Sequence, residues 1–145
     1  MHKAASRYLE MNRLEQKNIQ VLLCRRALEI WERDNPNNCQ YRESVVGTIQ
    51  ELETSLPRLA LESVIAGRDL YSVKERYREP ICALQDEDLI LPEPSLSAYY
   101  AIYNLFKSCV LGAEIDNWLV VNQALSSLGE KDAVSNLELV LNEAP

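Results

Sequence analysis

The stretch SLSAYYAIYNLFKSCVLG, residues 95–112, decides the fold. Lys107 is its only charged residue, and apolar side chains fall at every angle of a helical projection, which is typical of a helix buried on all sides. Ser95 suits the N-cap position, and Gly112 suits the left-handed residue that ends a helix. We therefore expect a buried central helix at about residues 96–111, with the rest of the chain packed around it.

Hydrophobic periodicity predicts further helices on both sides of this stretch. Apolar residues recur at spacings of three and four in residues 9–34, 40–54, 57–66, 73–85, 113–128 and 131–142. In the second of these segments the apolar stripe is Val45, Ile49 and Leu52. No segment gives a convincing strand. The sequence thus predicts an all-α fold, a compact bundle of six or seven helices forming a single all-helical domain over residues 1–145.

Several residues indicate where these helices begin, end or break. Ser72 and Glu75 have the spacing of a capping box, in which each side chain accepts a backbone amide of the other residue. Pro80 lies inside the predicted helix 73–85 and is expected to kink or break it between Glu79 and Ile81, because proline lacks an amide hydrogen.

Length and composition place the chain in a broad class. A chain of 145 residues with 47% apolar content and four glycines fits one compact helical domain. No apolar run reaches the roughly 18 uninterrupted residues that a membrane span needs, and the opening MHKAASRYLEMNRLEQ lacks the apolar core of a secretory signal. We expect a cytoplasmic protein that does not bind a membrane.

The four cysteines are far apart in the sequence and form no C-x-x-C pair. Cys24 and Cys109 lie inside apolar helical patterns, where a reduced cysteine behaves as a small hydrophobic residue. Free thiols in a reducing compartment are therefore expected, with neither a disulfide framework nor a metal site.

Charge is divided unevenly along the chain. The formal net charge is −7, yet residues 1–78 hold 13 basic and 11 acidic side chains, whereas residues 79–145 hold 2 basic and 11 acidic ones. The negative electrostatic field expected around residues 79–145 repels nucleic acid and accelerates the encounter with a basic protein. The alternative interpretation is a solvated acidic surface that only aids solubility.

Familiar catalytic patterns are missing. His2 is the only histidine and stands near the chain start, so Ser-His, Cys-His and paired-histidine metal sites are not supported. No glycine-rich phosphate loop is present. The closest carboxylate pairs, Asp86 with Asp88 and Glu114 with Asp116, have i,i+2 spacing, which does not converge on one point of a helix. We expect no enzyme activity, no cofactor and no small-molecule substrate.

Two acidic segments are the candidate contact sites. Residues 85–94 read as a loop that Leu89, Ile90 and Leu91 pin to the core, and the second segment is the predicted first turn of helix 113–128. The candidate acidic contact residues are Asp86, Glu87, Asp88, Glu93, Glu114 and Asp116.

Tyrosines on the central helix are the second kind of candidate. Tyr99, Tyr100 and Tyr103 fit a core in which each ring is buried and each hydroxyl finds a partner. In the functional interpretation one of them anchors a binding partner, because tyrosine is enriched at interface centres. Tyr99, Tyr103 or Leu89 are the candidate anchors.

Two segments carry a family resemblance. AYYAIYNLF, residues 98–106, and EIDNWLVVNQAL, residues 114–125, resemble small helical immunity proteins that are encoded beside bacterial polymorphic or contact-dependent inhibition toxins. The resemblance covers about residues 80–128. It implies a cytoplasmic protein without activity of its own that binds one cognate toxin domain, often a nuclease with a basic cleft, and blocks its active site.

Three functional hypotheses follow. In the first, an immunity protein places acidic side chains where the phosphate groups of a toxin's substrate would lie. In the second, a helical adaptor or regulatory subunit binds another protein through an apolar groove, with salt-insensitive association. In the third, an enzyme uses carboxylates in a polar core pocket, where their pKa values would be strongly raised.

Overall fold

A computed structural model describes residues 2–144 of the chain. Its helices are α1 (Lys3–Leu9), α2 (Arg13–Asp34), α3 (Leu56–Ala66), α4 (Val73–Arg76), α5 (Arg78–Gln85), α6 (Glu93–Cys109), α7 (Asn117–Leu128) and α8 (Ala133–Glu143), with a short 3₁₀ turn at Glu130–Asp132. Two strands, β1 (Cys39–Arg42) and β2 (Ile49–Leu52), lie between α2 and α3. Over the described residues the fold is therefore mostly all-α, as expected, with seven helices of seven residues or more and one single-turn helix.

Helix α6 is the centre of the bundle. It packs against α7, α2 and α3, and three of its residues that face these neighbours, Ile102, Leu105 and Phe106, have no exposed surface. The prediction of a buried central helix at about residues 96–111 is confirmed, with bounds two to three residues earlier. A helix packed on three sides leaves little surface for charged residues, and the two in α6, Glu93 and Lys107, lie in its first and last turns.

Ser95 does not have the predicted role of N-cap. The helix begins at Glu93 with Pro94 in its first turn, where the missing amide hydrogen costs nothing. The buried Ser95 hydroxyl donates to Asp34 at 3.2 Å and accepts from the Asn35 amide at 3.1 Å. Ser95 therefore fastens α6 to the C-terminal end of α2.

The predicted helix over residues 40–54 is wrong, because this segment folds as a β-hairpin. Strands β1 and β2 pair antiparallel, with Tyr41 opposite Gln50 and Arg42 opposite Ile49. Gly47 adopts φ +77°, a left-handed conformation that only glycine reaches without strain and that turns the chain back on itself. Positions 45, 49 and 52 have the helical spacings of four and three, whereas residues 49 and 52 lie on opposite faces of a strand, so tertiary contacts overrode the local periodicity.

The chain start forms a helix that the sequence analysis did not predict. Helix α1 precedes α2, and the His2 imidazole accepts the Ala4 amide at 3.0 Å as its N-cap. Arg7 donates to Asn142 at 3.2 Å, which joins α1 to α8. Helix α2 then begins at Arg13 behind a capping box made by Asn12 and Glu15, rather than at residue 9.

The predicted helix 73–85 is divided into α4 and α5. Its break lies at Tyr77, three residues before Pro80, and not between Glu79 and Ile81. A proline ring clashes with the carbonyl four residues earlier, here that of Arg76, which is the last residue of α4. Pro80 itself lies within the first turn of α5.

Two further start signals differ from the predictions. Ser72 makes no cap hydrogen bond, and the Asp69 carboxylate accepts the amides of Val73 and Lys74 instead. Helix α7 begins four residues later than residue 113, because Asp116 is its N-cap and Glu114 lies in the preceding loop.

One hydrophobic cluster contains residues from every α-helix longer than one turn and from both strands, with Trp31 and Phe106 among its largest fully buried side chains. All four cysteines are free thiols, as predicted. Tyr41 and Leu52 bring the hairpin into this core, since both are buried while their strand neighbours Arg42 and Glu51 are exposed.

Candidate functional site

The acidic loop after α5 is joined to the hairpin by a hydrogen bond. Asp86 ends α5, and Glu87 turns the chain at φ +63°. The Asp88 carboxylate accepts the Ser44 amide at 3.1 Å, although the two residues are 44 positions apart. This contact places the loop 86–90 beside the hairpin turn, which the sequence could not indicate while residues 40–54 were interpreted as a helix.

Glu43 holds the hairpin turn in shape. Its carboxylate accepts the amides of Val45 at 2.8 Å and Val46 at 2.6 Å. These backbone hydrogen bonds lower the pKa of Glu43, so its carboxylate is ionised at neutral pH. With their backbones held in this way, the side chains of Val45 and Val46 are 87% and 74% exposed.

Four large apolar side chains are exposed in this region. Ile49 begins β2 and is 60% exposed, and Ile90 follows Asp88 by two positions and is 86% exposed. The prediction that Ile90 pins the loop to the core is therefore wrong, whereas Leu89 is buried, with only 8% of its surface exposed. We define the hairpin patch as Val45, Val46, Ile49 and Ile90 together with Asp86, Glu87 and Asp88.

The carboxylates of the hairpin patch have no cationic partners. Among residues 2–144, no salt bridge includes Asp86, Glu87 or Asp88. A further carboxylate, Glu79, lies on α5. Burial and then the Glu79 charge raise the pKa of the Tyr41 phenol, and the Asp88 charge contributes less. The patch thus combines an apolar centre with an acidic margin.

An apolar groove adjoins the patch. It has a volume of about 390 Å³, and Glu87 and Ile90 belong to both features. Its remaining lining residues are Leu84, Leu89, Leu91, Leu96 and Tyr100. The groove extends the exposed apolar surface from the loop towards the start of α6.

The other three predicted acidic contact residues lie outside the hairpin patch. They are Glu93, Glu114 and Asp116. Glu93 is exposed in the first turn of α6, where a negative charge is stabilised by the helix dipole. Glu114 and Asp116 follow the opposite end of the same 17-residue helix, about 25 Å away at 1.5 Å per residue. The structure therefore does not bring the two predicted acidic segments together.

Two cationic residues line the same pocket as the second acidic segment. Glu114 and Asp116 line an open pocket of about 880 Å³ together with Arg13 and Lys17 of α2. Asp116 is also committed to its own helix, because its carboxylate accepts the Trp118 amide at 2.8 Å. This pocket has no local excess of acid, in contrast to the hairpin patch.

The tyrosines of α6 are mainly core residues. Tyr99 has no exposed surface, and its ring lies 5.1 Å from Trp31 and 4.9 Å from Tyr77 between centroids. Tyr103 is half-buried and stacks on Tyr77 at 4.2 Å, with the Lys107 ammonium 5.0 Å from its centroid. Tyr99 cannot touch a partner without unpacking the core, whereas Tyr103 keeps an accessible edge.

Sequence reasoning missed the apolar half of the hairpin patch. The sequence-based prediction places Val45 and Ile49 on the stripe of a helix and Ile90 against the core, and it gives Val46 no role. The available signal was Gly47, because a glycine in the middle of an apolar segment suits the left-handed position of a hairpin connection.

Two searches for other kinds of site gave negative results within residues 2–144. No group of three or more histidine, cysteine, aspartate or glutamate side chains is arranged to hold a metal ion. No helix in that range combines the length and the apolar character needed to cross a membrane.

We compared the chain with protein-family models, with curated protein sequences and with solved structures, and none of the three comparisons found a match. The relation to immunity proteins therefore stays a prediction from the sequence.

Proposed function

We propose that this chain is a toxin-neutralising immunity protein that binds a basic toxin domain through the hairpin patch and blocks its active site. In this proposal the chain acts by binding alone and performs no chemistry. The observation that carries it is the hairpin patch itself, where exposed valine and isoleucine side chains lie beside carboxylates without cationic partners. An apolar centre within a polar margin is the usual anatomy of a protein–protein interface.

Each half of the patch has a separate task in the proposed complex. Asp86 and Glu87 attract the cations of a nucleic-acid-binding cleft and occupy the positions of substrate phosphates, which increases the association rate. Val46 and Ile90 lose water on binding, and apolar burial of about 25 cal/mol per Å² slows dissociation. The segment at Glu114 and Asp116 is left out of this contact, because Arg13 and Lys17 share its pocket.

The same surface also supports the adaptor hypothesis. The groove lined by Leu84, Leu91 and Leu96 is apolar and open to solvent, so another protein could bind there without help from charge. The two functions differ in salt dependence. Association with a toxin cleft is expected to slow strongly with added salt, whereas association through an apolar groove is not.

Co-expression tests the biological role. The product of the neighbouring gene is expressed with and without this chain, and growth and co-purification are measured. Toxicity that this chain relieves, together with a stable complex, is the expected result. A complex with a non-toxic partner would favour the adaptor, and the absence of any complex would overturn the proposal.

A matched pair of charge reversals tests the surface. Asp86→Lys with Glu87→Lys is compared with Glu114→Lys and Glu130→Lys, which change the net charge equally at exposed sites outside the patch. Asp88 is left intact because it holds Ser44. At low salt we expect the first pair to slow association by about tenfold or more and the second to have a smaller effect. Equal effects of both pairs would show that only total charge matters, and no effect of the first pair would exclude the patch.

A further inference from the structure

The hairpin has free backbone on both outer edges. The sheet has two strands within residues 2–144, so neither strand has a second neighbour there. In an antiparallel pair, every second residue directs its amide and carbonyl away from the partner strand. An edge of this kind can pair with a strand from another chain.

The register identifies the outward residues of β1. The Glu43 amide donates to the Thr48 carbonyl at 2.9 Å, and this pair continues the register of Tyr41 with Gln50. Glu43 and Tyr41 therefore point their backbone groups inwards, towards β2, and the alternate residues Gln40, Arg42 and Ser44 point theirs outwards. Gln40 and Arg42 are both exposed.

One of these outward amides already has a partner. The Ser44 amide donates to Asp88, so a carboxylate occupies the end of the β1 edge. Among the described residues, the backbone groups of Gln40 and Arg42 make no hydrogen bond outside the sheet. The carboxylate adds negative charge at the end of the row, and the backbone groups of the two exposed residues before it stay available for pairing.

The surroundings of β1 define the charge of such a strand. The hydrogen bond from the Ser44 amide places the Asp88 carboxylate at the end of β1. Burial and then the Glu79 carboxylate of α5 raise the pKa of the Tyr41 phenol on this strand, which agrees with a second negative charge on that side. The cation on β1, Arg42, is turned away over the hairpin, where its guanidinium donates to the Gly47 carbonyl at 2.6 Å. A second copy of this chain would bring the same carboxylates to the edge, so a basic segment fits better.

We propose that the partner contacts this protein with an extended segment rich in lysine or arginine, which adds as a third strand to the free edge of β1 at Gln40 and Arg42. This inference rests on the proposed function and specifies how its partner binds. Main-chain hydrogen bonds give such pairing its affinity and make it tolerant of sequence, while the carboxylates of Glu79 and Asp88 select cations.

The test uses the full chain labelled with ¹⁵N and a nine-residue peptide of alternating lysine and valine, at concentrations where the peptide alone is monomeric. Amide hydrogen exchange is measured residue by residue. The expected result is at least tenfold slower exchange at Gln40 and Arg42, with less than twofold change at Tyr41, whose amide already lies in the ladder. A peptide of alternating glutamate and valine is expected to give no protection.

Four results would overturn the inference. They are no protection at millimolar peptide, equal protection by the glutamate peptide, protection of Ile49 and Glu51 on β2 instead, and protection of the β1 edge by increasing concentrations of this protein alone.

A pair of variants at one position separates this inference from the proposed function. Gln40→Pro removes the outward amide without a ladder bond, and Gln40→Ala removes only the side chain. We expect Gln40→Pro to abolish peptide binding and Gln40→Ala to retain it. If Gln40→Pro left the complex with the toxin intact while the Asp86 and Glu87 reversal slowed its formation, strand addition would be wrong and the proposed function would stand. If Gln40→Pro did not fold, the exchange measurement on the unmodified chain would still decide.

Discussion

The buried tyrosine hydroxyls differ sharply in how they are satisfied. Tyr8 donates to the Asn117 carbonyl at 2.9 Å and accepts from the Gln20 amide at 2.8 Å. The hydroxyls of Tyr77 and Tyr99 have no hydrogen-bond partner among the described residues, although both rings are fully buried. A buried polar group without a partner costs free energy. The hydroxyl of Tyr8 is therefore expected to stabilise the fold, whereas those of Tyr77 and Tyr99 are expected to destabilise it.

Tyrosine-to-phenylalanine variants test this difference at the residue scale. Tyr8→Phe is expected to lower the free energy of unfolding by about 1–2 kcal/mol, because it removes two hydrogen bonds and leaves Gln20 and the Asn117 carbonyl only the 3.4 Å hydrogen bond between them. Tyr99→Phe is expected to leave that free energy unchanged or to raise it by up to about 1 kcal/mol, because it removes an unsatisfied hydroxyl. Urea unfolding of both variants and the parent protein measures the two changes. A loss above about 1 kcal/mol in Tyr99→Phe would contradict the unsatisfied state of its hydroxyl.

At the scale of the element, the hairpin separates residues that a helix would have placed together. A helical stripe through Val45, Ile49 and Leu52 would bury all three, whereas in the hairpin only Leu52 is buried and the other two belong to the hairpin patch. The hairpin is thus held by Leu52 and Tyr41 and leaves its turn available for contact. One substitution series can distinguish the two structures.

We expect Leu52→Ala to lower the free energy of unfolding by about 2–4 kcal/mol, since it opens a cavity at a fully buried site. Ile49→Ala, at a residue that is 60% exposed, is expected to change it by about 0.5 kcal/mol or less. Thermal or urea unfolding gives both values, and similar losses in the two variants would favour the helix. If the proposed function holds, Ile49→Ala should instead speed dissociation of the partner.

At the scale of the whole molecule, the fold redistributes the charge of the chain. The acidic second half does not form one continuous surface, because Glu87 shares a groove with Leu96 and Tyr100 in the N-terminal half of α6, whereas Glu114 and Asp116 follow the C-terminal end of that helix. Only the segment at the hairpin keeps an excess of negative charge, since Arg13 and Lys17 line the same pocket as Glu114 and Asp116. Binding is therefore expected at one end of the bundle.

The core makes the whole fold sensitive to alkaline pH. Burial raises the pKa of the Cys24 thiol and of the Tyr77 and Tyr99 phenols above their ordinary values of 9.0 and 10.0. Above those values the unfolded chain loses these protons and the folded chain keeps them, so the stability present at lower pH falls as pH rises. Each group contributes a slope of up to about 1.4 kcal/mol per pH unit.

Circular dichroism during a titration from pH 8 to 12 should show cooperative unfolding, with tyrosinate absorbance at 295 nm increasing in the same transition. Tyr77→Phe with Tyr99→Phe should move the midpoint to higher pH, because two of the groups that titrate only on unfolding are gone. An absorbance change at 295 nm in the unfolding transition that is as large in this double variant as in the parent protein would contradict the buried state of these residues.

The sequence predicted a helix correctly where the apolar pattern was clear, but it misplaced the residues at which helices begin or break. Residues 95–112 predicted the central helix because an apolar surface on every side has few alternatives in a helical bundle. Ser95 failed as a cap because its hydroxyl is used by Asp34 and Asn35, two residues that are remote in sequence. Pro80 broke the helix as expected, but its clash acts four residues earlier, so the break lies at Tyr77.

The all-α class, the buried helix α6, the free cysteines and the acidic character of the loop after α5 could be predicted from the amino-acid order alone, because composition and helical periodicity depend on neighbouring residues. The hairpin over residues 39–52, the hydrogen bond of Asp88 to that hairpin, and the position of Glu114 and Asp116 beyond the end of α6 became evident only from the folded chain. The physical reason is that each of these features depends on a contact between distant parts of the chain, and the energies of alternative local structures differ by less than such a contact contributes.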